Sequence, residues 1–274
     1  MPLAPHRMEL PATKPAVVSA PSTSIEFLGE DASAYVPHLA VDCVVFGFHE
    51  GELKILLTHW ARRNQWSLPG GFVRRDESVD SAASRVLRLR TQLDEVYLEQ
   101  FFTFGSLDRT DETIVHMLDE THREPAAATW SRDRFISVAY FALVDFSRVL
   151  PTADGVLTDE CRWWDLLAHP PLLFDHAQIV ARALETLRIQ LRYRPIGLNL
   201  FPGSFTLPEL QRLYETILGR ALDRRNFQKK MLDLGILERI GQREGKGVRR
   251  APYLYRFNVE RYGEVLADGS ARGH

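Results

Sequence analysis

An α/β domain on a mixed sheet, followed by a small winged helix-turn-helix domain, is the fold class that the sequence predicts. Three observations predict it. Apolar β-branched runs alternate with segments of helical period as far as about residue 191, the pattern of strands and their covering helices. Arg194-Pro195-Ile196-Gly197 through Pro202-Gly203 then breaks both periods. Beyond the break the order is helix, turn, basic helix, basic hairpin, which is the layout of a winged helix-turn-helix. The chain of 274 residues has room for two modest domains.

Taken in order, residues 1–34 are rich in Pro, Ala and Ser without hydrophobic period and read as a disordered arm, because they bury too little apolar surface to offset ordering entropy. His38 to Phe48 (HLAVDCVVFGF) reads as a buried strand, His49-Glu50-Gly51 as a turn, and Glu52 to Thr58 as the returning strand. Gln65 to Leu68 is a short extended piece before Pro69-Gly70-Gly71. Ser78 to Arg90 reads as a helix, with Val79, Ala82, Ala83, Val86, Leu87 and Leu89 on its apolar face. Val96 to Phe104 and Ile136 to Val144 are further strands, and Asp111 to Arg132 between them reads as an inserted surface loop. His116, Glu120 and His122 in that loop fit no standard metal-ligand spacing. Cys161 to Asp165 reads as an edge strand and Asp175 to Leu191 as a long amphipathic helix. The expected units are therefore a domain over 35–192, a linker over 193–203 and a second domain over 204–274 with a short C-terminal tail.

Composition narrows the class. Hydrophobic residues make up 45% and charged residues 26%, an ordinary globular balance. No apolar run approaches the roughly 20 residues of a membrane span, and no apolar core follows a charged start at the N-terminus. A cytoplasmic protein without membrane contact is the expectation. Cys43 and Cys161 lie in apolar segments and read as buried free thiols in preference to a disulfide. The net charge of -2 hides an asymmetry: Phe205 to Arg261 holds 13 Lys/Arg and 7 Asp/Glu, while the remainder of the chain holds 21 and 29. A basic module on an acidic body points to a polyanionic partner for the module.

Within the first domain, Gly71, five residues, Glu77, seven residues and Arg85 resemble the left half of the Nudix box, and Trp66-Ser67-Leu68-Pro69-Gly70-Gly71-Phe72-Val73 resembles the approach to it. The resemblance spans roughly residues 38–185 and implies the Nudix α/β/α sandwich. The right half departs from the pattern. Val86, Leu89 and Arg90 stand where the resemblance implies glutamates, and Gln92 where it implies Gly. Positions 86, 89 and 90 share one helix face. In the family that face holds Mg²⁺, a hard cation that wants carboxylate oxygens. Two aliphatics and a guanidinium do not supply them. No metal or cofactor is expected, and metal-assisted hydrolysis is expected to be largely lost. Glu77 and Arg85 then have two readings, a structural pair that fixes the turn or direct contact with a ligand. A pocket that survives the metal's loss would serve as a sensor site. Its candidate residues are Trp66, Arg74, Arg75, Glu77, Arg85, Phe104, Asp108, Arg109 and Tyr140, although for any single aromatic a core position is the alternative.

In the second domain, Thr206-Leu207-Pro208-Glu209 has the form of a capping box, and Leu210, Leu213, Tyr214 and Ile217 follow at helical spacing to Gly219. Asp223 can cap a second helix, Arg224 to Leu234, whose apolar face is Phe227, Met231 and Leu234. Ile236 to Ile240 and Tyr253 to Asn258 flank a Gly-rich basic hairpin. Arg224, Arg225 and Gln228 are candidates for base edges in the major groove of DNA. Lys229, Lys230, Lys246, Arg249 and Arg250 are candidates for phosphates. A solvated basic face in a protein-binding module is the alternative.

The two domains together resemble the bacterial Nudix-related transcriptional regulators. That resemblance implies a homodimer on a palindromic double-stranded operator, gated by a small-molecule effector. The ligand classes it implies are ADP-ribose or a related NAD metabolite, and pentose sugars such as arabinose. Arg85-Val86-Leu87 and Val96-Tyr97-Leu98-Glu99-Gln100 lean slightly toward the sugar-responsive branch, while the insertion at 111–132 fits neither. The competing function is a Nudix hydrolase of a nucleoside diphosphate-linked substrate, with Mg²⁺ and replacement carboxylates such as Asp108 or Glu112.

Overall fold

The protein is described from a computed structural model over residues 34–60, 64–93, 96–107, 109, 134–152, 158–201, 203–243 and 251–268. The N-terminal arm, Asp108 and the insertion lie outside the described residues. The first unit contains β1 (Tyr35–His49), β2 (Glu52–Trp60), β3 (Gln65–Ser67), β4 (Gly70–Arg74), α1 (Val79–Thr91), β5 (Tyr97–Phe104), β6 (Ile136–Val144), β7 (Thr158–Asp165) and α2 (His176–Tyr193). The second contains α3 (Leu207–Leu218), α4 (Arg224–Asp233), β8 (Leu237–Gln242), β9 (Tyr253–Phe257) and α5 (Val259–Asp268).

The sheet is mixed. β1 pairs in parallel with β6 and antiparallel with β2 and β4, while β5 closes one edge on β6 and β7 pairs with β2. Strands β1 and β6 are buried on both faces, which is why their sequences read as nearly continuous apolar runs. Alternation sends Val41, Cys43, Val45, Val138, Tyr140 and Ala142 toward α1, while Val44, Phe46, Ala139, Phe141 and Leu143 meet Ile179, Ala183 and Leu187 of α2. Each Val, Leu, Ile or Phe among them contributes roughly 1.5–3 kcal/mol when removed from water. Both cysteines are free and buried.

The expected elements are present, with three differences. Tyr35 to Pro37 extend β1. Gly70 to Arg74, read in part as a turn, form a strand on β1. A further helix, α5, stands where only a tail was expected; its Tyr262 is buried and donates to the Pro195 carbonyl at 2.5 Å.

The second unit is a winged helix. Phe205 bridges Tyr255 beside the β8–β9 ribbon, and α3 packs on α4 through Tyr214 and Phe227, whose rings stand 5.2 Å apart. The segment read as a linker is packed, not exposed. Ile196 and Leu200 are buried, and the Ile196 N–H donates to the Tyr214 hydroxyl at 3.0 Å. At Gly197 a Cβ would stand 2.9 Å from the Phe257 ring, so the backbone passes there only as glycine. One apolar cluster runs from the sheet through α2 into α3, α4 and β9. Polar contacts reinforce it: Arg188 Nε donates to the Ile217 carbonyl at 2.7 Å, and Thr216 Oγ1 donates to the Gly51 carbonyl at 3.1 Å.

Candidate functional site

The turn before α1 is held by its own charges. Glu77 Oε1 accepts the Arg74 N–H at 2.9 Å and Arg85 Nη2 at 2.6 Å, and Oε2 accepts Arg85 Nε at 3.0 Å. Arg85 Nη2 also donates to the Phe72 carbonyl at 2.9 Å. The pair therefore fixes the turn, with Arg85 bracing the loop backbone as well as Glu77. Burial pushes the Glu77 carboxyl up, but the Arg85 and Arg74 hydrogen bonds outweigh it and hold the group below the usual range. Ser78 caps the helix by accepting the Ser81 N–H.

The face that would carry magnesium carboxylates is occupied otherwise. Val86 is buried, and a Cβ on Gly71 would come within 3.0 Å of its Cγ2. Leu89 and Arg90 are half-buried on the same face. With Glu77 tied to Arg85, these residues do not fit a divalent cation.

The remaining sensor candidates do not converge on one pocket. Tyr140 points to the α1 side of the sheet, where its hydroxyl donates to Asp80 Oδ1 at 2.5 Å. Trp66 lies on the opposite side, edge-on to Trp164 at 5.1 Å and under Arg162. Phe104 packs on Phe101 and Phe102 at the end of β5. Arg74 is half-buried at the end of β4 and Arg75 is exposed in the turn. Trp66, Phe104 and Tyr140, expected among the residues of one pocket, are divided by period-two alternation, which puts Tyr140 on the far face.

Arg109 enters a cluster that sequence reasoning largely missed. It grips Asp175 with Nε at 2.6 Å and Nη2 at 3.0 Å, reaches Asp42 at 3.4 Å, and Nη1 donates to the Phe104 carbonyl at 3.1 Å. Asp42 Oδ2 accepts the Ser137 hydroxyl at 2.5 Å, and Oδ1 stands 3.3 Å from His176 Nε2. His176 Nδ1 accepts the Leu68 N–H at 2.9 Å, which leaves the ring proton on Nε2, facing Asp42. Burial raises the Asp42 carboxyl, but His176, Arg109 and Ser137 bring it down to about 2. Gly70 makes room for this aspartate, since a Cβ there would meet Asp42 Oδ1 at 2.5 Å. A signal was available: Asp42 is the lone charge inside the apolar run of β1.

The winged helix carries the second site. Thr206 and Glu209 form the expected capping box, and Gly219 ends α3 in the left-handed region at φ +68°. Asp223 caps α4 by accepting the Asn226 N–H at 2.9 Å. Phe227 and Met231 are buried, which turns Arg224, Arg225 and Lys229 to solvent with Gln228 half-buried beside them. Lys230 is exposed on the flank that faces α2. Among the described residues, Arg224, Arg225, Lys229 and Lys230 have no ion-pair partner. Arg243, at the base of the wing, is instead paired with Glu209 at 2.8 Å. The wing tip with Lys246, Arg249 and Arg250 lies outside the described residues.

Comparison with known proteins gives two family matches. Residues 36–184 match the NUDIX domain, and residues 197–257 match the NrtR DNA-binding winged helix domain. The chain is similar to the ADPR responsive transcriptional repressor NtrR of Acinetobacter baylyi, at 32% identity over 231 residues that cover 82% of this chain and 84% of the relative. It is also similar to NrtR of Shewanella oneidensis, solved in complex with a 27mer DNA, at 28% identity and a TM-score of 0.65, over 82% of this chain and 95% of that one. A MutT/nudix family protein of Enterococcus faecalis shares the fold at 23% identity and a TM-score of 0.61, over 81% of this chain and 87% of that one. The lean toward the sugar-responsive branch finds no support in these likenesses.

Proposed function

The chain belongs to the NUDIX family, in the group that carries an NrtR-type winged helix, and from that premise we propose that it is a transcriptional repressor released or retained on DNA by ADP-ribose or a closely related nucleotide. The observation that carries this reading is the outward, unpaired cationic face of α4 in a chain whose Nudix helix presents aliphatics and an engaged Glu77 in place of metal ligands. The ligand class rests on the likeness to the ADP-ribose-responsive relative.

In this reading the N-terminal half of α4 enters the major groove. Arg224 and Arg225 offer forked donors to guanine, and Gln228 a bidentate amide to adenine. Lys229 and the wing neutralise phosphates. Two copies of the chain read the halves of a palindromic operator. The Nudix domain binds the effector without hydrolysing it, and operator affinity changes because the effector prefers one of two geometries of the dimer.

Fluorescence anisotropy on duplexes from the upstream region of its own gene cluster tests the proposal. Wild-type chain is expected to bind one duplex tightly, with affinity falling steeply as salt rises, and ADP-ribose is expected to shift that affinity. Arg224→Ala with Arg225→Ala is expected to abolish specific binding while the melting temperature is unchanged. Absence of any bound duplex at low salt sinks the reading, and so does Mg²⁺-dependent turnover of ADP-ribose that Glu77→Gln abolishes.

A further inference from the structure

A cleft of about 420 Å³ opens between α2 and the flank of α4. Its floor is apolar: Leu191 of α2, Tyr214 of α3, and Phe227 and Met231 of α4 are all buried core side chains. Its rim is cationic, with Arg188 and Arg192 from α2, Arg220 from the α3–α4 turn and Lys230 from α4. Among the described lining residues the one acidic side chain is Asp223, and its Oδ1 is already held by the Asn226 N–H at the helix cap. Arg188 uses Nε on the Ile217 carbonyl. Arg192, Arg220 and Lys230 have no ion-pair partner among the described residues. Asn226 and Lys230, four apart on α4, share the face turned into the cleft. Arg224, Arg225 and Lys229 lie round the helix from it.

We propose that this cleft is a ligand site, distinct from the effector site proposed for the Nudix domain, for a small phosphorylated molecule with a flat apolar body, the chemistry of a nucleotide. The size lies within the range of small-molecule pockets. Guanidinium and ammonium groups around the mouth match phosphate oxygens through charge-assisted hydrogen bonds. The apolar floor matches a base or similar ring. A duplex does not account for the floor, because phosphate contacts come from protruding polar groups and gain nothing from a recessed apolar surface. A molecule seated here touches both the last turns of α2 and the helix that faces DNA, so its occupancy fixes one unit against the other.

The test titrates ADP, without metal, into the full chain by calorimetry, beside the Arg192→Ala, Arg220→Ala double variant. Both side chains are exposed, so the fold is expected to survive, with an unchanged melting temperature as the check. The variant is expected to bind ADP at least about tenfold more weakly at one site, with unaltered affinity for the operator duplex in the absence of ADP. Equal ADP affinity in both proteins overturns the proposal, as does the absence of any ADP binding. A loss of duplex affinity that parallels the loss of ADP assigns the cations to DNA and also overturns it. Because duplex binding by the wild-type chain is measured without ADP, failure here leaves the regulator reading standing.

Discussion

Arg109 and Arg225 are the same residue in opposite circumstances. Arg109 is half-buried at the base of α2, bonded to two carboxylates and two carbonyls. Arg225 stands on the surface of α4 without a described ion-pair partner. The first has committed its donors to the fold, and the second has all of them to offer. Across the molecule the α/β unit keeps its site charges in closed pairs, Glu77 with Arg85 and Asp42 with Arg109, while the winged helix leaves its own open. A closed pair holds shape and an open one waits for a partner.

The comparison is broken most readily at Asp42. Asp42→Ala leaves the buried His176 Nε2–H and the Ser137 hydroxyl without their acceptor, while Arg109 keeps Asp175, and is expected to cost about 2–4 kcal/mol of unfolding free energy by urea titration. A loss under about 1 kcal/mol would show that the cluster does not hold the fold. Next in size, Arg225→Ala is expected to weaken operator binding by roughly 1–3 kcal/mol and leave the urea midpoint in place. A shifted midpoint would mean that Arg225 also belongs to the fold. Acid probes the same division. The Asp42 carboxyl is depressed in the folded chain to about 2, so its contribution is complete above the ordinary aspartate range and is lost as pH falls through about 2. That contribution is on the order of 2 kcal/mol, and acid unfolding of Asp42→Asn should lose this component. The smallest effect is at the cap of α4. Asp223→Ala is expected to cost about 1 kcal/mol of stability, with a weakening of DNA binding of no more than that size. A much larger loss of DNA binding would give Asp223 a role beyond the cap.

Much of this division was legible in the sequence because it is written in local pattern. Thr206 to Glu209, Gly219 and Asp223 mark helix ends through bonds that span three or four residues, and each stands where the spacing put it. The broken right half of the box was equally plain, since Val86, Leu89 and Arg90 need only a helix to share a face. The polar cluster was not legible as a unit. Arg109, Ser137 and His176 lie 67, 95 and 134 residues from Asp42, and only the register of β1 on β6, with a loop and α2 packed against the sheet, brings them together. Tyr140 was misplaced for a related reason: spacing identifies a strand, but which face meets which helix depends on pairing with β1. The signal for α5 was present, since Val259, Tyr262, Val265 and Leu266 recur at helical spacing, but Gly263 interrupts a segment of only ten residues that follows the returning strand directly.

Helix α2 is fastened near both ends, by the Arg109 fork on Asp175 just before its first turn and by Arg188 on the end of α3. Its 18 residues make it about 27 Å long. A tilt of about 5° at the Asp175 fulcrum swings the far end through roughly 2 Å, a lever arm long enough to move a side chain across a base edge. Mechanical advantage of that kind requires only a stiff beam and a firm pivot.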